Sequence, residues 1–145
     1  MALPFIPQGL LNRTRTQIVF ASFPYLNISA FNMGKTQAKV SFTTPFTTQI
    51  HTATGIVNSP EPFVMTNIAV GVLRTQPLGA AFLAQIQAGV ILGEVVAYGD
   101  TSALPAIPLY DASVTGFDIA AFDGNDPIIA VTISGVFYPN ADLWF

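Results

Sequence analysis

Cysteine is absent from the 145-residue chain, which excludes a disulfide framework, a thiolate zinc site and a cysteine nucleophile. Charge is scarce as well, since Asp, Glu, Lys and Arg make up 9% of the residues against a usual ~25%. With 51% hydrophobic residues and a mean hydropathy of +0.53, one domain of this size can build a real core. Its surface must then be unusually apolar or covered by something else. A basic stripe is also missing. Arg13, Arg15, Lys35 and Lys39 against Glu61 leave residues 1–72 at +3, and Arg74 against Glu94, Asp100, Asp111, Asp118, Asp123, Asp126 and Asp142 leaves the remainder at −6. Five scattered cations and a pI near 4.7 make no tight nucleic-acid grip, although an acidic surface can let DNA pass without holding it. Long apolar runs are lacking too. The uncharged stretch 76–93 contains Pro77, Gln85 and Gln87, poor material for a span of about 20 apolar residues, and residues 1–9 carry two prolines and no basic start, so neither a membrane span nor a signal peptide is expected.

What is present is β material. Segments rich in Val, Ile, Thr and Phe are separated by Pro, Gly and Asn, the pattern of strands joined by turns. Strands are expected over 17–23, over 38–57 as two strands or one long bent hairpin arm, and over 63–73. In the last of these Val64, Thr66, Ile68, Val70 and Val72 share a face, while Asn67, Ala69 and Gly71 leave room on the other for close packing. Further strands are expected over 90–98 and 109–119, together with a last strand in which Ile129, Val131, Ile133 and Phe137 face the core with Thr132 and Ser134 opposite; loops are expected at 58–62 and 99–108 and a turn at 123–127. One segment, 75–89, has helical spacing: Thr75 and Pro77 at its start, Leu78, Phe82 and Ile86 every fourth residue, and Gly89 as a stop. The other helix face, Ala80, Ala81, Ala84, Gln87 and Ala88, bears no charge, whereas a solvated face is normally charged. That predicts cover by a neighbouring protein surface or burial on both sides. The apolar 138–145 tail, ending Leu143-Trp144-Phe145, is expected to dock on its own domain or on a partner. The whole chain reads as one domain.

Catalytic and ligand signatures are thin. His51 is the single imidazole, lies in a strand-like run without a nearby acid, and is read as structural. Neither G-x-S-x-G nor a phosphate-cradling glycine motif occurs. Asp123, Asn125 and Asp126 lack the alternating ligands and distant glutamate of a calcium loop and read as turn chemistry. Asp111 and Asp118, seven apart, fall on opposite faces by simple strand alternation and so form no acid pair. No enzyme activity, cofactor or metal is expected. An apolar-lined β-barrel holding a lipophilic ligand would share this composition, though not so uncharged an exterior.

Several short elements carry a resemblance: Leu11-Asn12-Arg13, Phe23-Pro24-Tyr25-Leu26-Asn27-Ile28, Met33-Gly34-Lys35, Ser59-Pro60-Glu61-Pro62-Phe63, Leu73-Arg74-Thr75-Gln76-Pro77-Leu78 and Gly135-Val136-Phe137-Tyr138-Pro139-Asn140. Through them the chain resembles the bacteriophage tail tube proteins, whose architecture is shared by baseplate and tail-hub proteins. The resemblance implies a mainly β fold, a β-sandwich or partly open barrel with one flanking helix. Its subunits would form rings, usually of six, in which strands of neighbouring copies complete a barrel, and the rings would stack into the hollow tube of a virion. It also implies as partners the chain itself and other tail proteins, namely the tape measure, the terminator and any sheath or baseplate, with DNA only in transit through the lumen. Closing a barrel between copies removes exposed sheet edges, and ring and stacking contacts cover apolar surface. On that basis Glu94, Asp111 and Asp118 are candidates for lumen or interface charge, and Ala80, Ala84, Ala88, Trp144 and Phe145 for interface. The N-terminal arm, residues 1–16, and the 58–62 loop are candidates for ring-to-ring contact. Another self-assembling virion component, such as a baseplate, tail-hub or capsid-decorating protein, is the alternative.

Overall fold

Buried residues alternate with more exposed ones along 64–73 and 128–137 in the computed structural model, which describes residues 15–34, 38–89, 91–99, 105–119 and 124–139. The elements are β1 (Thr16–Phe20), β2 (Lys39–Phe42), β3 (Thr47–His51), β4 (Ile56–Pro60), β5 (Val64–Leu73), α1 (Leu78–Ala88), β6 (Ile91–Gly99), β7 (Ile107–Ile119) and β8 (Ile128–Phe137), with short 3-10 turns at Pro24–Leu26 and Ala30–Asn32. Six strands pair antiparallel in the order β1-β6-β7-β8-β5-β2, and the sheet curls into a half-barrel. The remaining two strands, β3 and β4, pair only with each other. The fold is therefore mainly β with one helix.

The core lies on one face of the six-stranded sheet. Ile18 and Phe20 of β1, Val64, Ile68, Val70 and Val72 of β5, Leu92 and Val95 of β6, Leu109, Ala112 and Val114 of β7, and Ile129, Val131 and Ile133 of β8 are buried there. Leu78 and Phe82 of α1, together with Leu26, Ile28 and Met33, close that face. Phe82 meets Phe20 edge to face, 5.7 Å between ring centroids. The two-residue alternation expected for β5 and β8 is observed, with Phe137 opposite Val64 and Thr132 and Ser134 turned the other way. Close packing occurs at Gly71: a Cβ there would stand 2.7 Å from Ile128, which also covers Gly34.

Boundaries differ from expectation at several points. The first strand stops at Phe20, because the backbone of Ile18 pairs with Ile28 and the Phe20 N–H donates to Asn27 Oδ1 at 2.8 Å, which turns the chain before Pro24. Residues 58–60 are not a loop but the end of β4, since their backbone pairs with Thr47–Gln49. Ile107 and Pro108, assigned to a loop, pair with Ala97 and Val96 and extend β7. Helix α1 begins at Leu78 with Pro77 as its N-cap; Thr75 makes no cap.

Candidate functional site

Three surfaces of the described chain stand out. The first is the exposed side of α1. Ala80, Ala84, Gln87 and Ala88 of the expected uncharged face are exposed, together with Leu83, whereas Ala81, expected on the same face, packs against the core because it lies one turn from Gln85 and beside Phe82 on the inward side. Gln85, which the apolar spacing passed over, is buried: its side-chain amide donates to the Gly89 carbonyl at 3.0 Å, and its Oε1 accepts from the Tyr25 hydroxyl at 2.7 Å. A polar residue between two apolar ones gave no signal of this, because its burial depends on Tyr25, sixty positions away.

The second surface is the β3–β4 hairpin. Every residue of its two strands is exposed except the half-buried Ser59, and Ile50, Ile56 and Val57 are 51–54% accessible. No Asp, Glu, Lys or Arg occurs between Lys39 and Glu61. The hairpin is closed by a tight loop in which Thr52 N–H donates to the Gly55 carbonyl at 2.8 Å. Its base is fastened to the main sheet: the Thr48 hydroxyl donates to Glu61 Oε1 at 2.6 Å, Glu61 N–H to the Phe46 carbonyl at 2.8 Å, and Thr43 N–H to the Met65 carbonyl at 2.9 Å. The Phe42 ring lies between those of Phe46 and Phe137, tilted against both, with centroids 4.9 and 5.4 Å away. An uncharged two-stranded ribbon thus projects from a firm root. His51 sits at the far end of β3, exposed, opposite Ile56.

The third surface is the face of the six-stranded sheet turned away from the core. The hydroxyls of Thr115 and Ser134 lie 2.9 Å apart, and Ser134 donates to Asn67 Oδ1 at 2.6 Å, so Thr115 is the donor of the first bond. Ser41 pairs with Asn67 on the next strand, and a row of small polar groups crosses β7, β8, β5 and β2. Glu94, Asp111 and Asp118 are all exposed and all project from this face. Simple alternation puts Asp111 and Asp118 on opposite faces, and the structure overturns that. A bulge at Thr115–Gly116 inserts one extra residue, Phe117 turns inward, and Asp118 returns to the side of Asp111. A second bulge leaves Tyr110 and Asp111 both outward, with Asp111 at φ 52°. A third, at Gly93 (φ 74°), does the same for Glu94 while Leu92 and Val95 stay buried. Lys39 at the β2 edge is opposite Ala69 on the same face. Hydroxyls, amides and three carboxylates share this face with Lys39 and with the apolar Met65, Val136 and Tyr110.

Trp144, Phe145, Asp100, Asp123, Lys35 and most of the 1–16 arm lie outside the described residues. Among the described residues no group of three His, Asp or Glu is placed to hold a metal ion, and no helix is long and apolar enough to cross a membrane. In comparison with family models and with curated proteins, the sequence matches none.

Proposed function

We propose that this chain is a self-assembling structural protein of a bacteriophage tail, whose copies associate into stacked rings around a conduit for DNA. The carrying observation is the β3–β4 hairpin. An isolated two-stranded ribbon is marginal in water, and exposed strand edges are normally blunted by charge or proline. Here the ribbon is free of charge and leaves Ile50, Ile56 and Val57 open over residues that have no core of their own. Contact with another copy would bury that apolar surface and pair the free edges.

Two further features support the reading. The uncharged face of α1 offers a second surface that a neighbouring protein would cover. The core-distant sheet face, with its hydroxyl row and Glu94, Asp111 and Asp118, has the chemistry of a lumen wall along which phosphates slide. In the ring, β2, which pairs on one side only among the described residues, would meet a strand of the next copy to continue the barrel. Negative-stain microscopy and light scattering of purified protein test this. Closed rings that stack into tubes are expected, and Ile50→Lys with Val57→Lys should abolish them while the circular dichroism spectrum is unchanged. A stable monomer at high concentration overturns the proposal, as do shells or isolated trimers.

A further inference from the structure

Between the 3-10 turn at Pro24–Leu26 and the start of α1 lies a groove of about 430 Å³ with no charged lining residue. Leu78 and Ala81 give it an apolar wall, and the carboxamides of Asn27, Asn32 and Gln76 give it polar ones. The oxygens of those three side chains are already engaged. Asn27 Oδ1 accepts from the Phe20 N–H at 2.8 Å, Asn32 Oδ1 from the Ser29 N–H and hydroxyl at 3.2 and 3.0 Å, and Gln76 Oε1 from Asn32 Nδ2 at 2.6 Å. Their nitrogens still have N–H groups to give: Gln76 Nε2 donates once, to the Phe31 carbonyl at 2.9 Å, and Asn27 Nδ2 donates to nothing among the described residues. Neutral N–H donors beside an apolar wall fit a bare, uncharged carbonyl.

We propose that the groove receives the tip of the β3–β4 hairpin, residues 52–55, of a second copy, an inference that rests on the assembly proposed above. Thr52-Ala53-Thr54-Gly55 is exposed, small and uncharged, and among the described residues the carbonyls of Ala53 and Thr54 accept no hydrogen bond. The tip thus carries the acceptors for which the groove holds donors. Charge agrees as well, since neither 40–60 nor 75–93 contains Asp, Glu, Lys or Arg, and no ion is left unpaired when the two meet. The tip does not reach its own groove. The hairpin root adjoins Val64 and the groove follows Leu73, so the two lie at opposite ends of β5, about 30 Å apart. A contact between unlike surfaces at opposite ends is head-to-tail, and copies joined by it continue along the strand direction from one ring to the next.

The chain has no cysteine, so one introduced on each surface reports the contact directly. Ala53→Cys protein mixed with Pro77→Cys protein is expected to give a disulfide-linked pair under mild oxidation, and the double variant a ladder of covalent oligomers, while neither single variant links alone. Asn27→Asp keeps the acceptor for the Phe20 N–H but puts a carboxylate where the free amide was; it should raise by about tenfold the concentration at which tubes appear. Adding Ala53→Lys to Asn27→Asp should restore assembly. Tubes that form without the disulfide and are indifferent to Asn27→Asp overturn the inference and leave the assembly standing. A Pro77→Cys thiol that is protected in tubes yet never links to Ala53→Cys gives the groove to another occupant and overturns it too. A link within Ala53→Cys protein alone assigns the tip to another tip, with the same result. A chain that stays monomeric overturns both the inference and the assembly.

Discussion

The six-stranded sheet and the β3–β4 hairpin are both paired antiparallel, the hairpin without a register shift and the sheet with bulges in β6 and β7, yet they differ in what lies against them. The sheet has α1, Leu26, Ile28 and Met33 on one face, and its inward residues are almost fully buried. Among the described residues nothing is layered on the hairpin, and its Ile50, Ile56 and Val57 are exposed. Backbone pairing sets register in both, but burial, and with it most of the stability, comes only from a second layer. In the sheet that layer is supplied within the chain. Among the described residues none is supplied for the hairpin, and that asymmetry is the basis of the assembly proposed above.

Substitutions on the two sides should separate accordingly. The largest effect is expected in the sheet's covering layer: Phe82→Ala removes a fully buried ring in contact with Phe20 and should lower stability by about 3–5 kcal/mol in urea denaturation. Next is Gly71→Ala, whose Cβ would stand 2.7 Å from Ile128; the expected loss is about 1–3 kcal/mol, largely recovered by Ile128→Ala. Asp111→Val, which puts a β-branched residue at φ 52°, should cost about 1–2 kcal/mol, and Asp111→Gly nothing measurable. The smallest effect on folding is expected in the hairpin, where Ile50→Lys with Val57→Lys, like charges on directly opposed but exposed positions, should cost no more than about 1 kcal/mol. A loss as large as that of Phe82→Ala at those two positions would show that the hairpin is integral to the core and erase the contrast.

Much of the sheet is legible from residue type. In β5 and β8, runs such as Val64-Met65-Thr66-Asn67-Ile68 alternate cleanly, and the structure follows them. Helix α1 was readable from Leu78, Phe82 and the glycine stop, and its uncharged outer face from Ala80, Ala84 and Ala88. The hairpin's second strand was not, because Asn58-Ser59-Pro60 is turn-like in composition and becomes a strand only by pairing with β3. Nor were the faces of the carboxylates. A two-residue period carries no mark of the bulges at Gly93, Asp111 and Gly116, and one inserted residue reverses every face beyond it.

Composition and periodicity by themselves determined that this polypeptide is mainly β, nearly uncharged and provided with one amphipathic helix, because hydropathy and strand propensity are properties of neighbouring residues. Only the tertiary structure decided that Glu94, Asp111 and Asp118 share a face, that Gln85 is buried, and that Ile50, Ile56 and Val57 are left open. Those outcomes depend on bulges, on a hydrogen bond to Tyr25 and on the absence, among the described residues, of a layer over the hairpin, all of which join positions far apart in the chain.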